Sequence, residues 1–411
     1  MHSLNREDCA RLDAADPLAP LREKFDLPDG VIYLDGNSLG PLPRAAKARV
    51  ERVISEEWAK GLIRSWNTAG WIELPQRVGA AIASIIGAQP DEVIAADSTS
   101  VNLFKVLSAA LAARPERRVI VSEPDNFPTD LYIAEGVIGQ LRAKHELRLT
   151  SRVEEALGPD TAVLMLTHVN YRTGAMHDMA RLTKLAHDHG ALVVWDLSHS
   201  AGAVPVDLDA AGADFAVGCG YKFLNGGPGA PAYLYVARRH RQSFTQPLSG
   251  WLGHAAPFAF EPAYRPAEGV SRYVCGTPAV LAMSALEEAV NLMRAVDMRE
   301  VRAKSIALAD LFIQLVEERC AGQGLRLVSP REAAKRGSQV SIAHAEGYAL
   351  MQALIARGVI GDFRPPDIAR FGITPLYLRY VDVFDAVEIL RDVLATKAWD
   401  RAEYKRRAAV T

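Results

Sequence analysis

Residues 191–236 read ALVVWDLSHSAGAVPVDLDAAGADFAVGCGYKFLNGGPGAPAYLYV, and two apolar runs in this stretch each lead to an ionisable side chain. Leu192 to Trp195 has the unbroken apolar character of a strand buried on both faces of a parallel sheet. Asp196 follows at its C-terminal end, where open α/β sheets place their ligands. The second run, Phe215 to Val217, passes through Gly218-Cys219-Gly220-Tyr221 to Lys222, and a glycine-rich turn follows at Gly226, Gly227 and Gly229. An ammonium buried without a partner is costly, and burial lowers its pKa, which turns a lysine into a Schiff-base nucleophile. Pyridoxal phosphate needs such a lysine for its aldehyde and a carboxylate to keep its ring nitrogen protonated. Taken singly, Lys222 reads as a surface residue and Asp196 as a helix cap. On adjacent strand ends, with His199 three positions after the acid, they describe a cofactor site.

Composition narrows the alternatives. A chain of 411 residues with 49% hydrophobic content is long enough for two domains around sizeable cores. With 47 basic and 49 acidic residues it carries no electrostatic footprint for nucleic acid or an anionic membrane surface. Cys9, Cys219, Cys275 and Cys320 are too dispersed for a disulfide framework and fit a reducing compartment. The N-terminal segment lacks the apolar centre of a signal peptide, and no apolar stretch reaches the ~18 residues of a membrane helix. The expectation is a soluble cytoplasmic enzyme.

Taken in order, Asp16-Pro17 reads as the start of a short helix through Phe25, and Val31 to Asp35 as a strand opening onto Gly36-Asn37-Ser38-Leu39-Gly40-Pro41. Helical spacing runs from Arg44 to Lys60, followed by a polar segment with Trp66 and Trp71. Val93 to Ala96 is a strand, and Asp97-Ser98-Thr99-Ser100 leads into a helix through Ala113. Its hydroxyls serve either as caps or, beside a cofactor lysine, as phosphate ligands at a helix N-terminus. The strand Val119 to Ser122 precedes Phe127-Pro-Thr-Asp130, and the strand Val163 to Thr167 precedes a helix from Asp178 to His189. His187 and His189 do not share one helical face, and with His177 they read as solvated, so no metal is implied. Long helices follow from Pro278 to Val296 and from Glu300 to Cys320. Beyond them, strands at 325–328, 339–343 and 359–363 and helices at 346–357 and 382–394 suggest a smaller α+β domain. Arg364 to Tyr377 reads as a proline-rich loop with two arginines.

These motifs together resemble the kynureninase family of fold-type I, class V pyridoxal phosphate enzymes. The resemblance spans roughly Tyr33 to Tyr377 and rests on Leu34-Asp-Gly-Asn-Ser-Leu-Gly-Pro, Phe127-Pro-Thr-Asp130, Trp195-Asp-Leu-Ser-His199, Gly220-Tyr-Lys-Phe-Leu-Asn-Gly-Gly and Phe371-Gly-Ile-Thr-Pro-Leu-Tyr. It implies an aspartate aminotransferase-like α/β fold, with a large domain (51–297) on a mostly parallel seven-stranded sheet, a small C-terminal α+β domain (298–411), and an N-terminal segment (1–50) packed on the latter. It further implies that Lys222 holds the cofactor aldehyde, Asp196 pairs with the ring nitrogen, and Phe127 stacks on the ring with Asp130 close by. Thr99 and Ser100 would bind the phosphate, Thr167 and His199 would line the site, and Tyr221 would touch the phosphate and donate a proton. Trp251 and Thr277 would come from the second subunit of a homodimer; some family members carry asparagine at the latter position. Arg370 would clamp the substrate α-carboxylate, a task suited to its two-pronged donor set, with Trp66 and Ser38 near the substrate. The implied reaction is hydrolysis of L-kynurenine, or its 3-hydroxy form, to anthranilate and L-alanine. Within the same superfamily, a cysteine desulfurase would need a nucleophilic cysteine on a mobile loop, and 360–374 has none; an aminotransferase would use the same acid and lysine.

Overall fold

The computed structural model describes residues 4–141, 144–241 and 244–408, which fall into two compact units. The large unit comprises 45–170 and 177–295; the small one comprises 4–44, 171–176 and 296–408.

The large unit is built on seven strands, β1 (Val93–Ala95), β2 (Val119–Ser122), β3 (Glu146–Leu149), β4 (Thr161–Thr167), β5 (Leu192–Asp196), β6 (Phe215–Gly218) and β7 (Tyr233–Val236), in the order β1-β7-β6-β5-β4-β2-β3. β7 runs antiparallel to both its neighbours, and the other pairings are parallel. Parallel neighbours need crossover connections, supplied among others by α1 (Thr99–Ala112), α2 (Pro128–Gln140) and α3 (Met179–Asp188). Every residue of β4, β5 and β6 is buried, which accounts for their unbroken apolar runs. Ile120, Val163, Val194, Val217 and Leu234 pack with Val106 and Leu107 of α1 in one core, each such side chain contributing about 1.5–3 kcal/mol on burial. β5 and β6 are parallel neighbours, so Asp196 and the turn carrying Lys222 leave the sheet at the same edge.

The small unit contains the antiparallel sheet β8-β9-β11-β10, formed by β8 (Arg326–Leu327), β9 (Gln339–Ala343), β10 (Asp362–Arg364) and β11 (Ile368–Gly372). Helices α4 (Val280–Arg294) and α5 (Met298–Arg319) close the large unit and open the small one; α6 (Gly347–Ile355) and α7 (Tyr380–Ala395) follow. Among the described residues no helix is long and apolar enough to cross a membrane.

Several expectations are corrected. The N-terminal α-helix is Arg6–Ala14, started by a capping box between Asn5 and Asp8. Asp16-Pro17 instead makes a side-chain turn to Leu18 N at 3.0 Å, followed by a 3₁₀ segment, Ala19–Lys24; Asp16 is also held 2.6 Å from the buried Lys304. The helix from Arg44 becomes a π-helix at Val53–Gly61. The run 359–363 is two strands: Val359–Ile360 pairs in parallel with Ile32–Tyr33, and Asp362–Arg364 joins the four-stranded sheet. Arg370 lies not in a loop but on β11, an inner strand, because only residues 365–367 turn the chain around. His177 and His187 are not simply solvated: they sit 3.0 Å from Glu123 and 2.8 Å from Asp214.

Candidate active site

A cavity of about 320 Å³ opens at the C-terminal edge of the seven-stranded sheet, lined by Thr99, Ser100, Phe127, Asp130, Thr167, Asp196, His199, Tyr221 and Lys222. Each of these residues was expected at a cofactor site from sequence, and the fold gathers them because each follows, or ends, a strand of one sheet or opens the helix after it.

Asp196 ends β5 and is buried, and its Oδ1 accepts from Ser198 N at 2.8 Å and Ser198 Oγ at 2.6 Å. These two donors orient the carboxylate. Lys222 follows β6; its Nζ lies 3.0 Å from His199 Nε2 and 5.7 Å from the ring centroid of Phe127. Phe127 leaves 37% of its surface open, an apolar plate beside the lysine. Asp130, on the first turn of α2, is buried with Oδ2 unpartnered among the described residues. Burial first, and the Asp196 charge second, push its carboxyl well above the usual range. Tyr221 is held in its phenol form by burial and by the neighbouring Cys219 and Asp196.

Ser98 caps α1, accepting from Val101 N at 3.3 Å, and places Thr99 and Ser100 at the helix start. The first N–H groups of a helix lack intrahelical partners and carry the positive end of its dipole, a setting for a phosphate. Beside them Asp97 adopts a left-handed φ of +48° and is held 2.5 Å from Nζ of Lys105, a fully buried lysine that also donates to Tyr273 O. Thr167 Oγ1 donates to Asn126 Oδ1, and Asn126 in turn donates to Ser122 Oγ at 3.1 Å. Asp97, Lys105, Asn126, Ser198 and Cys219 were not anticipated as site residues. Only Ser198, two positions after Asp196, carries a local signal, since a hydroxyl there can reach back to the acid.

The cavity fits pyridoxal phosphate by its donor set. A lysine and a buried, oriented carboxylate share it, an apolar ring flanks the lysine, and hydroxyls at a helix N-terminus supply an anion site. Asp130 Oδ2, buried and without a hydrogen-bond partner among the described residues, is an orphaned polar atom that a bound group can satisfy. Among the described residues no cluster of three or more His, Cys, Asp or Glu could hold a metal.

The remaining candidates lie elsewhere. Trp66 is half-buried against Trp71, with centroids 5.9 Å apart. Thr277 is exposed, and Trp251 is 44% exposed, donating to Pro257 O at 2.5 Å and packing with Phe258 and Phe260. Ser38 and Arg370 belong to the small unit, where Arg370 Nη2 donates to Ser38 Oγ at 2.8 Å.

Among solved structures, the cysteine desulfurase of Thermococcus onnurineus matches with a TM-score of 0.79 at 18% identity, covering 92% of this chain and 98% of that one. A variant of C-DES with glycine covalently linked to its PLP cofactor matches at 0.78 and 17%, covering 90% and 99%. These likenesses concern the fold. The DegT/DnrJ/EryC1/StrS aminotransferase family model matches residues 66–213, and the kynureninase C-terminal domain model matches residues 301–390. The kynureninase of Pseudomonas fluorescens is 57% identical, and that of Burkholderia mallei 59% identical, each over 99% of both chains. Identity of that order over 99% of both chains leaves one conclusion: the chain belongs to the kynureninase family.

Proposed function

We propose that this protein hydrolyses the Cβ–Cγ bond of L-kynurenine, consuming one water and releasing anthranilate and L-alanine, with pyridoxal phosphate held in the Lys222 cavity. The observation that carries this reading is the full-length 59% identity to a curated kynureninase. Bound there, the cofactor supplies an electrophilic carbon for an amine and a ring that accepts the electrons released at the substrate. Lys222 would be the amine that holds that carbon and, as a free amine, the base that takes and returns a proton at Nζ, with His199 Nε2 at 3.0 Å as neighbour. Asp196, fixed by Ser198, holds negative charge against the ring nitrogen. Thr99, Ser100 and Tyr221 hold the phosphate, and Phe127 covers the ring. Tyr221, kept protonated by its burial, donates the proton that the alanyl carbon needs after anthranilate leaves. Arg370 receives the α-carboxylate, with Ser38 and Trp66 near the substrate. Such acid–base assistance is worth roughly 10²–10⁴-fold.

Trp251 and Thr277 are assigned to a site shared by two copies, a homodimer in the cytoplasm. The exposed aromatic group of Trp251, Phe258 and Phe260 supports this, since such patches mark contact surfaces. A desulfurase reading is weaker. Cys9, Cys219 and Cys320 are buried, and burial pushes the thiols of Cys9 and Cys320 up to about 11, which leaves no reactive thiolate there.

The test is direct. The purified protein should be yellow and should convert L-kynurenine to anthranilate, read by fluorescence, with an equal amount of alanine; Lys222→Ala should give none. A yellow protein that leaves kynurenine intact refutes the substrate, and one that takes up no added cofactor refutes the site.

A further inference from the structure

Two guanidiniums converge on one carboxylate in the small unit. Asp362 and Arg370 face each other across β10 and β11. Asp362 Oδ1 accepts from Arg370 Nε at 2.7 Å and its Oδ2 accepts from Arg370 Nη2 at 2.5 Å. Arg364, two residues along β10 and so on the same face, brings its own Nη2 within 2.7 Å of that same Oδ2. The two Nη2 atoms are therefore no farther apart than these two short contacts laid end to end, a gap that one further carboxylate can bridge.

Their remaining donor capacity differs. Arg370 already donates to Asp362, to Ser38 Oγ and, through Nη1 at 2.6 Å, to Tyr171 O, and its side chain is 1% exposed. Arg364 donates to Phe363 O at 3.3 Å and keeps 34% of its side chain open. Asp362 pairs with both cations and the Asp35 carboxyl stands close enough to act on both, so what is left for an incoming anion is N–H donor capacity, and the accessible N–H groups belong mainly to Arg364.

We infer that Arg364 is a second carboxylate-binding residue, receiving the α-carboxylate of the amino-acid substrate together with Arg370, and that Asp362 is the positioning residue that sets both. This rests on the amino-acid substrate proposed above, and deepens it by naming which cation the carboxylate meets. A charge-assisted, two-pronged bond made to the carboxylate alone must leave an amide analogue almost unaffected.

The holoenzyme is therefore titrated with L-alanine and with L-alaninamide, followed through the cofactor's visible absorbance, in wild type, Arg364→Gln and Arg364→Lys. In Arg364→Gln the alanine affinity should fall about tenfold or more and the alaninamide affinity by less than about twofold, with Arg364→Lys recovering part of the loss. Unchanged alanine binding in Arg364→Gln overturns the inference, as does an equal loss for acid and amide, which marks a merely structural role. Anthranilate release by wild type tests the kynurenine reading separately; its failure would leave the alanine titration valid.

Discussion

Asp214, at the edge of the large sheet remote from Lys222, offers a stability prediction that is independent of catalysis. Its side chain is 1% exposed and accepts from His187 Nε2 at 2.8 Å, Val193 N at 2.8 Å, Arg239 Nη2 at 2.6 Å and His240 Nε2 at 2.6 Å. The acid thereby ties α3, the start of β5 and the turn after β7 to the residue before β6. Asp214→Asn keeps the shape but points an amide NH₂ at some of these donors and removes the negative charge. Breaking a buried ion pair costs about 3–5 kcal/mol; Arg239 and His187, 46% and 36% exposed, can rehydrate, so the low end, about 3 kcal/mol, applies. For a unit of this size that is about 6–12 °C in Tm. Burial alone would raise the carboxyl pKa, but the hydrogen bonds from His187 and His240 outweigh it and hold the group well below the usual range. A depressed acid contributes stability that is complete above its unfolded pKa of about 4 and lost as pH falls below it. The gap between wild type and variant should be full at pH 7 and narrow below about pH 4, measured by circular dichroism on heating or in urea, while kcat per bound cofactor at pH 7 stays unchanged. A Tm loss under about 2 °C at pH 7, or a changed kcat at full cofactor occupancy, would refute the reasoning.

Asp35 should behave with the opposite sign: burial, then the charge of Asp362, pushes its carboxyl up to about 7. A raised acid loses folded-state stability as pH climbs from about 4 to 7, so Asp35→Asn should raise Tm by a few degrees (about 1–3 kcal/mol) at pH 8 and by almost nothing at pH 4.5. An equal shift at both pH values would contradict this. Tyr221→Phe should retain the yellow cofactor band but lose about 10²–10⁴-fold in kcat; loss of the band instead would make the phenol a binding group alone. Lys105→Met frees Asp97 from the buried lysine that fixes its left-handed turn, and equilibrium dialysis should show about tenfold weaker cofactor binding; unchanged binding would mean the phosphate end is shaped without it.

How much of this was legible in the chain follows from what kind of information each residue carries. Asp196 and Lys222 were readable because a strand buried on both faces leaves an unbroken apolar signature, and the first polar residue beyond it must lie at the sheet edge. Thr167, Phe127 and Asp130 also end or follow strands, but their expected places at the site came from the family resemblance and not from a local signal. Lys105 was not readable: it lies inside α1 at ordinary helical spacing, and only the fold brings it beneath Asp97 and beside Tyr273 O. Nor was Asn126, whose bond to Thr167 spans two strand ends.

The small unit shows the limit most plainly. β11 reads Ile368-Ala-Arg-Phe-Gly372, with a charged residue at its centre and two prolines just before it, so local pattern argues for a loop. The strand forms nonetheless because Asp362 stands opposite Arg370 in register, turning a charge that a buried strand would exclude into half of a hydrogen-bonded pair. An alternation of apolar residues can be seen one segment at a time, whereas a buried ion pair exists only once its two strands have met. The arginines proposed to bind a carboxylate are of the second kind. A site that must hold an anion needs cations inside the fold, and here such cations need Asp362 to be tolerated, so arginines of this kind are the ones whose secondary structure the chain conceals.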